Sequence, residues 1–124
     1  MPALLADGRR NVGRNLVTLV LRTWDESGSR HPVLTLFRAA MTEPHAAEMM
    51  RAFLSTQLLA PLMAELGTDH PDLRTDLAIS QLLGLATVRH ILELAPLASL
   101  PAADVVEIVA PNVQRYLTGK IEFG

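Results

Sequence analysis

Side chains able to carry out acid–base or metal chemistry are sparse in this chain of 124 residues, which contains no cysteine. Asp69, His70 and Asp72 are close together, but they lie where a loop leads into a helix, and acidic groups there complement the helix dipole. No nucleophile-elbow, phosphate-loop, zinc-binding or paired-carboxylate motif occurs. The histidines have no metal-ligand spacing: His31, His45, His70 and His90. The sequence therefore predicts no metal, no cofactor and no enzyme activity.

His90 is the one histidine for which a binding role stays open. On a helix it would lie between the apolar residues Ile79 and Leu83, earlier in the chain, and Leu94, one turn later. Two interpretations remain. Its imidazole either forms a hydrogen bond with a ligand or forms its hydrogen bonds with protein groups within a core or an interface.

The elements that must position these residues are helices. Apolar residues make up 49% of the chain and are mostly aliphatic, and no segment of useful length alternates as a strand would. We expect one all-α domain over residues 1–124 with about five helices. They are predicted from about Arg9 to Trp24, from Pro32 to about Met41, from Pro44 to Gly67 with a kink or restart at Pro61, from Pro71 to Leu94, and from near Pro101 to Gly119.

The charge balance, the N-terminal residues and the length of the apolar runs indicate the cellular location of the protein and the partners that it can bind. Eleven basic residues face thirteen acidic ones, so the chain lacks the basic excess with which a domain grips nucleic acid unaided. The start of the chain is not typical of a signal peptide, and the longest apolar run is too short to span a bilayer. We expect a cytoplasmic protein that binds neither membrane nor, by itself, nucleic acid.

The charge-free segment from Leu77 to Val88 is the strongest indication of self-association. A helix that is apolar nearly all round must be buried on two sides, and in a small domain a second copy of the chain supplies the second side most simply. Gly84 costs about 1 kcal/mol in mid-helix relative to alanine, so it needs a compensating role. That role is close approach of helices, either in a dimer interface or inside the monomer. Gln81, on the same stripe, would find a partner for its amide across a two-fold axis.

Several breaks and patterns together resemble one family. These pieces are Arg14-Asn15-Leu16-Val17, Thr23-Trp24, Leu59-Ala60-Pro61-Leu62, Ser80-Gln81-Leu82 with Gly84, Pro96-Leu97-Ala98, Ala110-Pro111 and Val113-Gln114-Arg115-Tyr116-Leu117. Their order and spacing resemble the C-terminal ligand-binding and dimerisation domain of TetR-family transcriptional regulators. The likeness extends from about Gly8 to Gly119.

The resemblance implies a symmetric homodimer whose interface is built by the last two long helices. The expected contact residues share one face on each of these two helices: Gln81, Gly84, Leu85, Val88 and Leu92 on the first, and Val105, Val109, Val113 and Tyr116 on the second. It also implies a pocket for a small apolar effector among the earlier helices. The residues expected to line it are Trp24, Phe37, Met41, Met49, Met50, Phe53 and Gln57, with His90 as a further candidate. Plain core packing is the alternative for the Met and Phe residues.

Members of this family begin with a helix-turn-helix, and the stretch before Arg9 is too short to hold one. We therefore expect an effector-sensing and dimerisation domain without its DNA-binding head. The alternative is an interaction protein that pairs with a full-length relative and blocks its DNA binding.

Overall fold

The computed structural model describes residues 2–54, 56 and 59–123. Within these residues it contains six α-helices and no strand, so the predicted all-α class is confirmed. The helices are α1 (Val12–Ser27), α2 (Pro32–Ala40), α3 (Pro44–Phe53), α4 (Ala60–Leu66), α5 (Pro71–Ala86) and α6 (Ala102–Thr118). None of the described helices is long and apolar enough to cross a membrane.

The helix expected from Pro44 to Gly67 is in fact two helices, which accounts for the difference from the predicted count of about five. Pro61 lies in the first turn of α4, where its missing N–H costs no helical hydrogen bond. Gly67 ends α4 with a φ of 62° and donates its N–H to the carbonyl of Met63. The predicted left-handed C-cap at Gly67 is therefore confirmed.

The helix expected from Pro71 to Leu94 also differs from the prediction at its end. The regular helix α5 ends at Ala86, and a π-helical turn continues it over Thr87–Ile91. The N–H of Leu92 closes this turn on the carbonyl of Thr87 at 2.8 Å. Such a turn holds one residue more than an α-helical turn, so it rotates the side chains that follow relative to those of α5.

The core lies where α1 packs along α6. Its side chains include the fully buried Leu16 and Leu21 of α1 and Val105, Val113 and Leu117 of α6. Gly13 permits the close crossing of the two helices, because a Cβ there would lie only 2.6 Å from the backbone nitrogen of Gln114. Instead, the Gly13 N–H donates to Oε1 of Gln114 at 2.7 Å, and Nε2 of Gln114 donates to the carbonyl of Arg9 at 2.8 Å.

A buried arginine joins the start of α5 to the end of α6. Arg74 donates through Nε to the carbonyl of Asp69 and through Nη2 to its carboxylate, both at 2.6 Å. Its Nη1 donates to the carbonyl of Tyr116 at 3.0 Å. The hydrogen bond from Arg74 holds the pKa of Asp69 below its ordinary value. This contact holds the first turn of α5 against the last turn of α6.

Candidate functional site

An apolar cavity of about 230 Å³ lies between α1, the start of α2, the end of α3 and α5. Of the lining residues that the structure describes, none carries a formal charge. These residues are Leu19, Val20, Thr23, Trp24, His31, Val33, Phe53, Leu54, Ile79, Leu82 and Leu83. An apolar hollow with a few polar groups at its edge is the usual form of a small-molecule site.

Only some of the residues that were expected to line an effector pocket lie at this cavity. Trp24 and Phe53 line the cavity, whereas Gln57 lies outside the described residues. The other predicted residues do not line it: Phe37 is half-buried, Met50 is buried, and Met41 and Met49 are exposed, with 63% and 50% of their surface free. A ligand contact at any of these positions stays a prediction.

Most residues of the cavity wall were not predicted from the sequence, although the helical spacing of those on α1 was recognised. Leu19, Val20 and Thr23 recur at helical spacing, but the sequence alone does not show which side of α1 faces a hollow rather than packed neighbours. Thr23 is half-buried, and its hydroxyl donates to the carbonyl of Leu19 at 2.8 Å.

His31 is the missed residue with the most specific geometry. It precedes Pro32 at the N-cap of α2, and its Nδ1 accepts the N–H of Val33 at 3.2 Å. Histidine ahead of a helix-starting proline is a recognisable capping signal, but nothing in the sequence places its ring beside a cavity. The structure places His31 at the edge of the cavity, where it is one of the lining residues.

His90 lies instead in a polar cluster between α1 and the π-helical turn. Its Nε2 is 3.0 Å from Oδ1 of Asp25, yet their relative orientation does not make a hydrogen bond, so this buried nitrogen has no hydrogen-bond partner among the described residues. Burial lowers the pKa of His90, and the charge of Arg89 adds to this effect, while Asp25 opposes it. The imidazole is therefore held toward its neutral form.

Arg89 is the centre of this cluster and was not predicted. Only 9% of its surface is exposed. Its guanidinium donates to both carboxylate oxygens of Asp25, at 3.0 and 3.1 Å, and to the carbonyls of Leu97 and Leu100, at 2.9 and 2.8 Å. One side chain thus ties the end of α1 to the π-helical turn and to the segment that leads into α6.

The residues predicted for a dimer interface divide into two groups. Leu85, Val105, Val109 and Val113 are buried within this chain, where they belong to its own core. A second copy cannot reach these side chains without displacing what covers them. The remaining predicted residues are accessible: Gly84 and Leu92 are exposed, and Gln81, Val88 and Tyr116 are half-buried. Gln81 is thus not a fully buried amide in need of a partner.

Gly84 opens onto free space on the outside of α5. A Cβ built there would meet no atom of this chain within 4 Å, so close packing inside the monomer does not explain the glycine. A dimer contact at Gly84 stays a prediction.

Two of the clefts that are larger than the apolar cavity differ from it in character. One of about 550 Å³ separates α1 from the start of α6 and is lined by charged side chains, among them Arg14, Arg22, Asp25 and Glu107. Arg14 and Glu107 form an ion pair across this cleft, which lowers the pKa of Glu107. The other, of about 430 Å³, lies between α4 and α5. Within the described part of the chain, no group of three acidic or histidine side chains could hold a metal ion.

Comparison with known proteins gives one match. The family model described as tetracyclin repressor-like, C-terminal domain, matches residues 11–117 of the 124-residue chain. Comparisons with curated proteins and with solved structures found no match.

Proposed function

The chain belongs to the tetracyclin repressor-like C-terminal domain family, and we propose that it is the effector-binding and dimerisation domain of a TetR-like transcriptional regulator. The observation that carries the effector half of this proposal is the uncharged cavity between α1, α3 and α5. We propose no reaction and no cofactor for the domain.

Ligand entry would act on the contact between α1 and α5, because residues of both helices line the cavity. The end of α1 is also joined through Asp25 and Arg89 to the segment that leads into α6. A ligand shifts such an arrangement only if it has unequal affinity for two states. In a regulator that carries DNA-reading heads, that shift would change the spacing of the two heads and so their fit to two half-sites.

The dimer surface proposed here is the outer side of α5 and α6. Gly84 of α5 and Ile108 of α6 are both exposed. Ile108 has 64% of its surface exposed. An exposed isoleucine on α6 and a glycine on α5 with free space above it suit the close approach of a second α5–α6 pair.

Sedimentation equilibrium tests the dimer. We expect the wild-type protein to be a dimer at micromolar concentration, and Ile108→Asp to be a monomer with unchanged helical circular dichroism. Met41→Asp is the matched control, because it puts the same charge at an equally exposed apolar residue outside α5 and α6. A monomeric wild type, or dissociation caused equally by both substitutions, would contradict the proposed interface.

Ligand binding has a built-in probe, because Trp24 is the only tryptophan of the chain and lines the cavity. Its indole N–H gives a single peak in a ¹⁵N–¹H spectrum. We expect ethylbenzene to shift this peak in a saturable manner, and Val20→Phe, which adds volume to the cavity wall, to abolish the shift while the fold is kept. If ethylbenzene leaves the peak of the wild type unchanged, the cavity is not an effector site.

A further inference from the structure

Two side chains of the polar cluster between α1 and the π-helical turn approach the same carboxylate oxygen. Nε of Arg89 donates to Oδ1 of Asp25 at 3.1 Å, while Nε2 of His90 lies 3.0 Å from this oxygen yet makes no hydrogen bond with it. We propose that these three residues form a proton-sensitive latch. A proton taken up by His90 turns the carboxylate of Asp25 toward Nε2 and away from Nε of Arg89, which loosens the connection between α1 and the segment that leads into α6. The latch needs no ligand, so it stands independently of the proposed function.

The latch connects two segments because one guanidinium serves acceptors on both. Arg89 donates through Nη2 to Oδ2 of Asp25 at 3.0 Å, and through Nη1 to the carbonyls of Leu97 and Leu100 at 2.9 and 2.8 Å. The guanidinium is planar, and its donors have a fixed geometry. A movement of the carboxylate at one end therefore changes the hydrogen bonds at the other end.

Protonation changes what the buried nitrogen of His90 requires. A neutral imidazole has one donor and one acceptor nitrogen, whereas both nitrogens of the protonated ring are donors. Nε2 has almost no contact with water, so a charged N–H there needs a protein acceptor, and a buried charged group left without one costs more than a neutral group. Oδ1 of Asp25 is the acceptor within reach. The bond forms only when the two groups turn toward each other, which takes Oδ1 away from Nε of Arg89.

The charged groups that act on His90 set the pH range in which the latch opens. Burial lowers the pKa of His90, and the charge of Arg89 adds to this effect, whereas Asp25 and Glu93 oppose it. The balance holds the pKa below its ordinary value of 6.5. The latch is therefore closed near pH 7 and opens as the pH falls below 6.5 toward the lowered pKa.

The other elements packed against the π-helical turn bring few charges toward it. Helix α5 has no charged residue after Asp76, and the short helical turn Leu97–Ser99 has none. The turn Gly28–Arg30 contains Arg30, which is exposed. The carboxylate of the latch is therefore the charged group that acts on the imidazole from another element.

The π-helical turn gives the latch an element that can respond. The N–H of Leu92 bonds to the carbonyl of Thr87 and not to that of Val88, which would be its α-helical partner and accepts the N–H of Leu94 instead. Such turns are rare and occur frequently at functional sites. Because the turn carries both nitrogen-bearing side chains of the latch, a change in their hydrogen bonds acts directly on the connection between α5 and the segment that follows.

Nuclear magnetic resonance tests the latch, because each of its parts gives a separate signal. As the pH is lowered from 7 to 5, we expect the Nε–H peak of Arg89 to shift with the same midpoint as the ring nitrogens of His90, below pH 6.5. The carbonyl ¹³C signals of Leu97 and Leu100 should follow that midpoint. Far-UV circular dichroism, recorded at each pH, should stay constant.

Two variants and a control separate the proton of His90 from other titrations. In His90→Gln, which has a neutral amide, the Arg89 peak should stay still over this range. His45→Gln makes the same substitution at an exposed histidine of α3 and should leave the Arg89 titration unchanged. In Asp25→Asn, the attraction that opposes the lowering is lost, so the midpoint of the His90 ring should fall further.

Three results would overturn the latch. If His90 titrates while the Arg89 peak stays still, the proton does not reach the guanidinium. If the Arg89 peak shifts equally in His90→Gln, another group causes the change. If the circular dichroism is lost with the same midpoint, acid unfolds the whole chain and no local connection is released.

Discussion

The inner side of the α5–α6 pair packs against other segments of the chain, whereas the outer side has residues that no other part of the chain covers. On the inner side, Gly13 touches the backbone of Gln114, and the hydrogen bonds of Gln114 and Arg89 hold α1 against both neighbouring segments. On the outer side, Gly84 has no atom of the chain within 4 Å of where its Cβ would be, and Ile108 is largely exposed.

This difference shows that two glycines in helices can have opposite meanings. Gly13 is required by a contact within the chain, since any larger residue would collide with α6. Gly84 has no such contact, and we propose that a second copy of the chain approaches it. The same residue type thus indicates completed packing on one side and a surface available for association on the other.

The largest expected effect comes from breaking the inner side at Arg89. Arg89→Met removes the donor that serves Asp25 and two backbone carbonyls, so these partly buried acceptors lose their partner. We expect the free energy of unfolding to fall by about 3 kcal/mol, measured by urea titration. Arg22→Met, at an exposed position of α1, is the control and should change it little. Equal stability of the two variants would show that the inner polar cluster does not hold the fold.

A smaller effect sharpens the contrast between the two glycines. Gly13→Ala brings a methyl group against the backbone of α6 and should cost about 2 kcal/mol in urea titration. Gly84→Ala, measured at a concentration low enough to give monomer, should instead raise stability by up to about 1 kcal/mol, because alanine favours the helix. A similar loss in both variants would mean that the outer side is packed within the chain after all.

The smallest expected effect is a dependence of the free energy of unfolding on pH, which arises from His90 in the polar cluster on the inner side. The folded chain holds the pKa of His90 below its ordinary value of 6.5, so the unfolded chain binds the proton more readily. The contribution of His90 is therefore complete above about pH 6.5 and is lost as the pH falls below that value toward the lowered pKa.

Thermal unfolding at several pH values checks this dependence. His90→Gln should show a flatter profile than the wild type just below pH 6.5. The carboxylates whose pKa values are lowered, Asp69 and Glu107, ordinarily titrate in a more acidic range, so they do not obscure this window. A wild type and variant with parallel profiles between pH 5 and 7 would contradict the assignment.

The fold was largely predictable from the sequence, while the site was predictable only in part. Proline and glycine act locally, so the starts at Pro32, Pro44 and Pro71 and the C-cap at Gly67 were correctly placed. Trp24 and Phe53 line the cavity, whereas Met41 and Met49 are exposed. Helical spacing shows which residues share a side of a helix, but not what that side faces.

The sequence by itself determined the helices, their breaks and the family, since backbone restriction and apolar spacing are written in neighbouring residues. Only the tertiary structure decided that Val105 and Val113 face inward, that Gly84 opens outward, and that His31 and Arg89 have specific polar roles. These roles depend on atoms brought together from segments far apart in the chain. The path of the backbone in space, and not the local pattern, sets those distances.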